Sequence, residues 1–155
     1  MNAKLGYVLA GALVGILVAT PWEDGSQAAT GPSTIRITNT EISVTRVDVG
    51  AKGKSPGDME IIRQRLFNRR VTQKPIGTAD LICTFVDRKR LRVCRGTYIL
   101  PKGKLVVGGS LSYRQFYDLA VLGGTGIYDN ARGTLVVTRM AVRPVRDLAV
   151  FRLVG

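Results

Sequence analysis

The chain has 155 residues, 23 Lys and Arg against 11 Asp and Glu, a formal net charge of +12, two cysteines and no histidine. That length suits one domain, and the absence of histidine excludes Ser-His-Asp triads, imidazole zinc sites and histidine general bases. The basic balance fits either anionic partners or simply a solvated surface, and acid–base chemistry falls to Asp, Glu, Tyr, Cys, Lys or Arg.

The N-terminal stretch reads as a leader. Lys4 forms a short positive region, and Leu5–Val18 is an apolar run broken by Gly6, Gly11 and Gly15 before Pro21 ends any helix. Such a run falls short of the ~20 residues needed to span a bilayer. Ser26-Gln27-Ala28 sets small residues at the −3 and −1 positions of a cut after Ala28, as in a secretory signal peptide. The division predicted is a signal peptide at 1–28 and one domain at 29–155, with an uncleaved anchor as the alternative. Cleavage would remove Trp22, one cation (Lys4) and two carboxylates (Glu23 and Asp24), leaving the domain one charge more basic. A secreted or periplasmic location argues against nucleic acid as a partner and leaves acidic lipid, cell-wall polymers or anionic small molecules.

Ser33–Val49 opens the domain with alternation of Ile35 and Ile37 against Arg36 and Thr38, which argues for a strand or a bent pair of strands. Gly50–Gly57 is a loop by composition. Asp58–Phe67 has no clean period; strand is preferred over helix. Asn68–Pro75 is a polar loop. Ile76–Val86 and Leu91–Leu100 form the clearest hairpin, joined by Asp87-Arg88-Lys89-Arg90. Pairing Val86 with Leu91 sets Cys83 opposite Cys94, with Cβ atoms ~5 Å apart. Two cysteines in an exported chain are expected to pair; free buried thiols are the alternative, since a slip of one residue puts them on opposite faces.

Lys104–Leu111 is a further strand after the Pro101-Lys102-Gly103 turn, and Ser112–Tyr117 holds the densest aromatic patch. Leu119–Leu122 and Thr134–Thr138 are predicted strands around a glycine-dense corner, with Gly123, Gly124, Gly126 and Gly133 expected to supply positive φ for a tight reversal. Pro144 demotes Met140–Arg146 to a connection or edge. Leu148–Val154 is the last strand. About eight strands with short connections and no convincing helix predict an all-β, eight-stranded antiparallel barrel.

Several segments, in this order, resemble the allene oxide cyclase and dirigent protein family of calycin-like barrels. Ser55-Pro-Gly-Asp58 through Arg65-Leu-Phe-Asn68 is similar to its S-x-G-D…N-K-L-Y segment, and Ile76-Gly77 through Ile82-Cys83 to its I-G…G-I-C strand. Gly103–Gly108 is similar to G-x-I-x-V-x-G. Leu119–Gly126 with Ala131-Arg132-Gly133 resembles the A-V-T-G-G-T/S-G…A-R-G corner, the most specific match. The resemblance implies a barrel, often trimeric, that uses no metal or nucleotide cofactor and holds a reactive molecule in one geometry while excluding water.

Carried over residue by residue, the resemblance implies cavity-lining positions at Glu60, Ile62, Gln64 and Cys83, and at Ser110 where the cyclases have an aromatic ring. Asn39 matches the cyclase asparagine, whereas Ile37 stands where its glutamate would be and Glu41 is out of register. Glu60 is the candidate general acid/base, with a raised pKa expected from an apolar barrel. Tyr98 and Arg132 are candidate polarising or orienting groups; a structural reading of Arg132, tying the corner together, is the alternative. Two functions stay open at this point. One is an exported barrel binding a hydrophobic or phenolic small molecule and steering its cyclisation or coupling, as an isomerase would. The other is a non-catalytic barrel attracted to acidic partners. A cavity filled by side chains would support a purely structural domain instead.

Overall fold

A computed structural model describes residues 33–68 and 74–154. The leader expected at 1–28 lies outside the described residues. Eight strands follow one another: β1 (Ser33–Val47), β2 (Met59–Phe67), β3 (Gly77–Phe85), β4 (Arg92–Leu100), β5 (Gly103–Leu111), β6 (Phe116–Gly126), β7 (Arg132–Val142) and β8 (Val145–Val154). Each pairs antiparallel with the next, and β1 pairs with β8 through partners such as Ile35 and Phe151, so the sheet closes into an up-and-down barrel. Closure removes the free strand edges, as expected from the short, evenly spaced strands. Among the described residues no helix is long and apolar enough to cross a membrane.

Period two decides what fills the barrel. On β4, Arg92, Cys94, Tyr98 and Leu100 point in and are buried, while Val93, Arg95 and Ile99 are exposed. On β8, Asp147, Ala149, Phe151 and Leu153 take the inner face. A bulge at Ile42 in β1 shifts the register between Glu41 and Ser43, and a second at Leu122 shifts β6 against β5. One half of the interior is apolar, built from Leu66, Leu100, Leu105, Leu135, Phe151 and Leu153. Tyr98 and Phe151 meet there edge to face, ring centres 5.0 Å apart, a preferred aromatic geometry; full burial of a side chain such as Phe151 contributes about 1.5–3 kcal/mol. The other half carries Asn39, Glu60, Gln64, Arg92 and Asp147.

Cys83 and Cys94 are paired across β3 and β4 and joined by a disulfide, as the hairpin register predicts. That register is held at its turn by the Asp87 carboxylate, which accepts from the backbone N–H groups of Lys89, Arg90 and Leu91 at 2.7–2.9 Å.

The glycine-dense corner differs from its expectation. Gly123, Gly124 and Gly126 lie within β6, and the reversal is made by residues 127–131, where Asn130 takes a positive φ of 59°. Only Gly126 and Gly133 of the four glycines have positive φ. Gly124 is required by crowding instead: a Cβ there would stand 2.3 Å from the Tyr128 carbonyl oxygen. Met140–Val142 also departs from the predicted connection, because β7 runs through it and Pro144 occupies the turn into β8. The proline ends the strand pairing without entering it, so its missing N–H costs no ladder bond.

Candidate functional site

In an up-and-down barrel the connections alternate between the two ends. The β1–β2 loop, the β3–β4 turn and the β5–β6 loop therefore share one rim, which is the mouth above the polar half of the interior. Glu60 sits there at the start of β2, only 1% exposed. Its carboxylate accepts from Arg46 Nε at 3.1 Å, from Arg92 Nη1 at 2.9 Å and from Arg114 Nη2. Burial alone would raise its pKa, as anticipated, but the hydrogen bond and charge of Arg114, with the charges of Arg92 and Arg46, lower it below the ordinary value. Glu60 is thus an ionised clamp across the mouth, and the expected raised pKa is not found.

Beneath that clamp lies a chamber of only about 20 Å³, enough for roughly one water, lined by Glu41, Ile62, Gln64, Cys83, Tyr117 and Asp147 among others. Above it opens a vestibule of about 470 Å³ between the β1–β2, β3–β4 and β5–β6 connections. Arg92 and Arg114 line both spaces, so their side chains are the floor of one and the ceiling of the other. A groove of about 240 Å³ beside the β1–β2 loop includes Asp58, whose oxygens are occupied by the Val49 and Ser55 N–H groups and the Ser55 hydroxyl, so that carboxylate holds the loop.

Asp147 is a further inward carboxyl, 2% exposed, and Arg139 Nε donates to it. Here burial outweighs the guanidinium, and the Asp147 pKa is raised from its ordinary value. Burial and the charge of Asp147 also push the Tyr117 phenol well up, so it stays protonated. Deeper in, Asn39 Nδ2 donates to Gln64 Oε1 at 3.1 Å and to the Tyr98 hydroxyl at 3.4 Å, while Asn39 Oδ1 has no partner. The Tyr98 phenol is raised by burial and is likewise neutral.

The structure thus brings together Glu60, Ile62, Gln64, Cys83, Tyr98 and Asn39 inside the barrel. Two expected site residues stand apart. Ser110 is exposed, on the outer face beside Val93, because Gly109 and Leu111 take the inner phase of β5. Arg132 starts β7 at the end opposite the mouth; it is exposed and donates from Nη1 to the Ala131 carbonyl at 3.0 Å, which is the corner-tying contact. Arg92, Arg114, Tyr117, Arg139 and Asp147 were not singled out as site residues from sequence. For Asp147 and Arg92 a signal existed: each is a charge in the inward phase of an otherwise apolar strand face.

No family model matches the chain, and no curated protein matches it. Solved structures do. A pyocyanin demethylase matches with a TM-score of 0.66 and 25% identity, over 78% of this chain and 99% of its own. A pterocarpan synthase dirigent protein matches at 0.64 and 16% identity, over 88% and 94%. A Diels-Alderase from Streptomyces koyangensis matches at 0.63 and 17% identity, over 84% and 72%. With the closed eight-stranded meander and its inward polar half, these likenesses identify the architecture: the chain folds as an allene oxide cyclase/dirigent-like β-barrel.

Proposed function

We propose that this is an exported barrel that binds a hydrophobic or phenolic small molecule at its mouth and steers the molecule's cyclisation or coupling, without a metal or nucleotide cofactor. The observation that carries the reading is the unequal pairing of two buried carboxyls in one barrel: Glu60 meets Arg46, Arg92 and Arg114, whereas Asp147 meets Arg139 alone, so the guanidiniums lower the first and burial raises the second. Environments that push a carboxyl pair apart assign acid and base roles. Asp147 is the proton-exchanging group, Arg139 polarises and orients, and Tyr117 is a neutral hydrogen-bond donor facing the same chamber. Glu60 acts through Arg92 and Arg114 as a positioning residue, while Ile62 and the Cys83–Cys94 bridge form apolar wall. The catalytic part first expected of Arg132 is dropped, given its place at the far end.

The vestibule is of a size that holds a small molecule, whereas the chamber is not. The ligand's body therefore occupies the vestibule, and the reacting group reaches Asp147 when Arg114 swings off Glu60. Orientation of this kind supplies several kcal/mol of barrier reduction. Pterocarpan synthase dirigent and Diels-Alderase neighbours of the same fold support a cyclisation-steering role. The disulfide supports export to an oxidising compartment.

The second reading, a non-catalytic carrier, draws on the small size of the inner chamber. Native mass spectrometry of protein purified from its exporting cell separates the outcomes. The expected result is a copurified small molecule released from wild type and absent from a Ser112→Trp variant that fills the vestibule. Protein carrying no ligand, and unable to take up phenolic compounds added at saturating concentration, would sink the proposal.

A further inference from the structure

The vestibule has a chemical character that narrows its ligand. Six cations line it, Arg46, Lys54, Lys89, Arg90, Arg92 and Arg114, against the single carboxylate of Glu60. That carboxylate is already shared among Arg46, Arg92 and Arg114. Among the described residues, Lys54, Lys89 and Arg90 have no carboxylate partner. Arg92 is 5% exposed, yet its Nε has no hydrogen-bond partner. A buried guanidinium N–H left unpaired costs free energy, so Arg92 is not fully satisfied by Glu60 alone.

The walls supply the second half of the argument. The Arg92 guanidinium lies 5.6 Å from the centre of the Phe85 ring, and that of Arg90 lies 5.7 Å from the Tyr113 ring. Both rings line the vestibule. Flat aromatic and guanidinium faces stack with a planar ring, while the positive charge gathered around a concave mouth attracts an anion.

We propose that the vestibule binds a planar aromatic anion, a carboxylate, sulfonate or phenolate borne on one or two fused rings, and prefers it to the neutral counterpart. The proposal rests on the mouth being the ligand entrance. The anionic group takes the place of Glu60 as partner of Arg114, next to the positive charge of Arg92, and the rings lie against Phe85 and Tyr113. The six cations border one concavity with two aromatic rings in its wall, which favours a compact aromatic anion over an acidic polymer or lipid surface.

Fluorescence titration with two dyes of one ring skeleton tests this: 8-anilinonaphthalene-1-sulfonate and the neutral N-phenyl-1-naphthylamine. The sulfonate is expected to bind about tenfold more tightly or better, with an advantage that shrinks as salt is added. A Lys54→Ala/Lys89→Ala double variant, both changes on the rim and away from the two stacked rings, is expected to lose most of that advantage while changing the neutral dye's affinity far less. Equal affinity for the two dyes would overturn the anion preference while leaving a small-molecule vestibule in place. Binding of neither dye would remove both the preference and the entrance. Binding to phosphatidylglycerol vesicles that the double variant abolishes, with the dye preference intact, would reassign the cations to a membrane face and overturn the proposal.

Discussion

Glu60 and Asp147 are both buried in the same barrel, on β2 and β8, and the difference between them is the number of guanidiniums each meets. Glu60 meets three, Asp147 one. Replacing Glu60 with Gln leaves Arg92 buried beside Arg114 without a counter-charge, and breaking a buried pair in this way costs about 3–5 kcal/mol. A lowered melting temperature at neutral pH is expected. The pH dependence has a definite sign. Folded Glu60 titrates below its ordinary 4.5, so its contribution is present above 4.5 and is lost as pH falls through the folded value. Asp58 and Asp87, also lowered, act in the same direction. Asp147, raised above 3.8, acts oppositely: its contribution is present at low pH and lost as pH rises through its folded value. Melting temperatures of wild type should therefore fall below about pH 4.5, and those of Glu60→Gln should fall less steeply there. Parallel curves for the two proteins would show that Glu60 is not the clamp described.

At the scale of elements, the β6–β7 corner leads into a close approach between the paired strands β7 and β8. Gly133 has φ +138°, and a Cβ there would stand 1.9 Å from the Arg152 carbonyl oxygen on β8. Gly133→Ala is expected to destabilise by about 2–4 kcal/mol, read from denaturant unfolding; a loss under about 0.5 kcal/mol would mean that the close β7–β8 approach is not maintained. Much of this level was legible in the residues. The turn at Asp87–Arg90 set the register that pairs Cys83 with Cys94, and the family resemblance, not the irregular period of residues 58–67, placed Glu60 and Gln64 toward the cavity. Alternation carried Asp147 in phase with Ala149 and Phe151, and Ser110 out of phase with Leu111; those two signals were present and went unused. What sequence did not carry is long-range. Arg114 comes from a loop to reach Glu60 across 54 residues, and nothing local announces that contact. Likewise, the end of the barrel to which Arg132 belongs follows from counting connections along the whole meander, and nothing in the residues around Arg132 announces it. Gly124 looked like a turn residue, and its cause is instead a neighbouring backbone.

For the whole molecule, the outer surface carries its own pattern. Ile61 and Ile82 are paired neighbours on β2 and β3 and both are exposed, with Val93, Ile99 and Val106 on the following strands. Large apolar side chains in such numbers on one side of a barrel fit a self-association face. Light scattering after size exclusion should give an oligomer mass, a trimer on the family resemblance, and Ile82→Lys should give a monomer with unchanged far-UV circular dichroism. A monomeric wild type would leave that face unpartnered by its own kind. The proposed chemistry itself rests on the split between Glu60 and Asp147. The most direct measurement is a carbon-13 NMR titration of the Asp147 and Glu60 side-chain carboxyls in the folded protein. Asp147 is expected to titrate above 3.8 and Glu60 below 4.5. Both groups titrating below their ordinary values would remove Asp147 as the proton-exchanging carboxyl and contradict the proposed function.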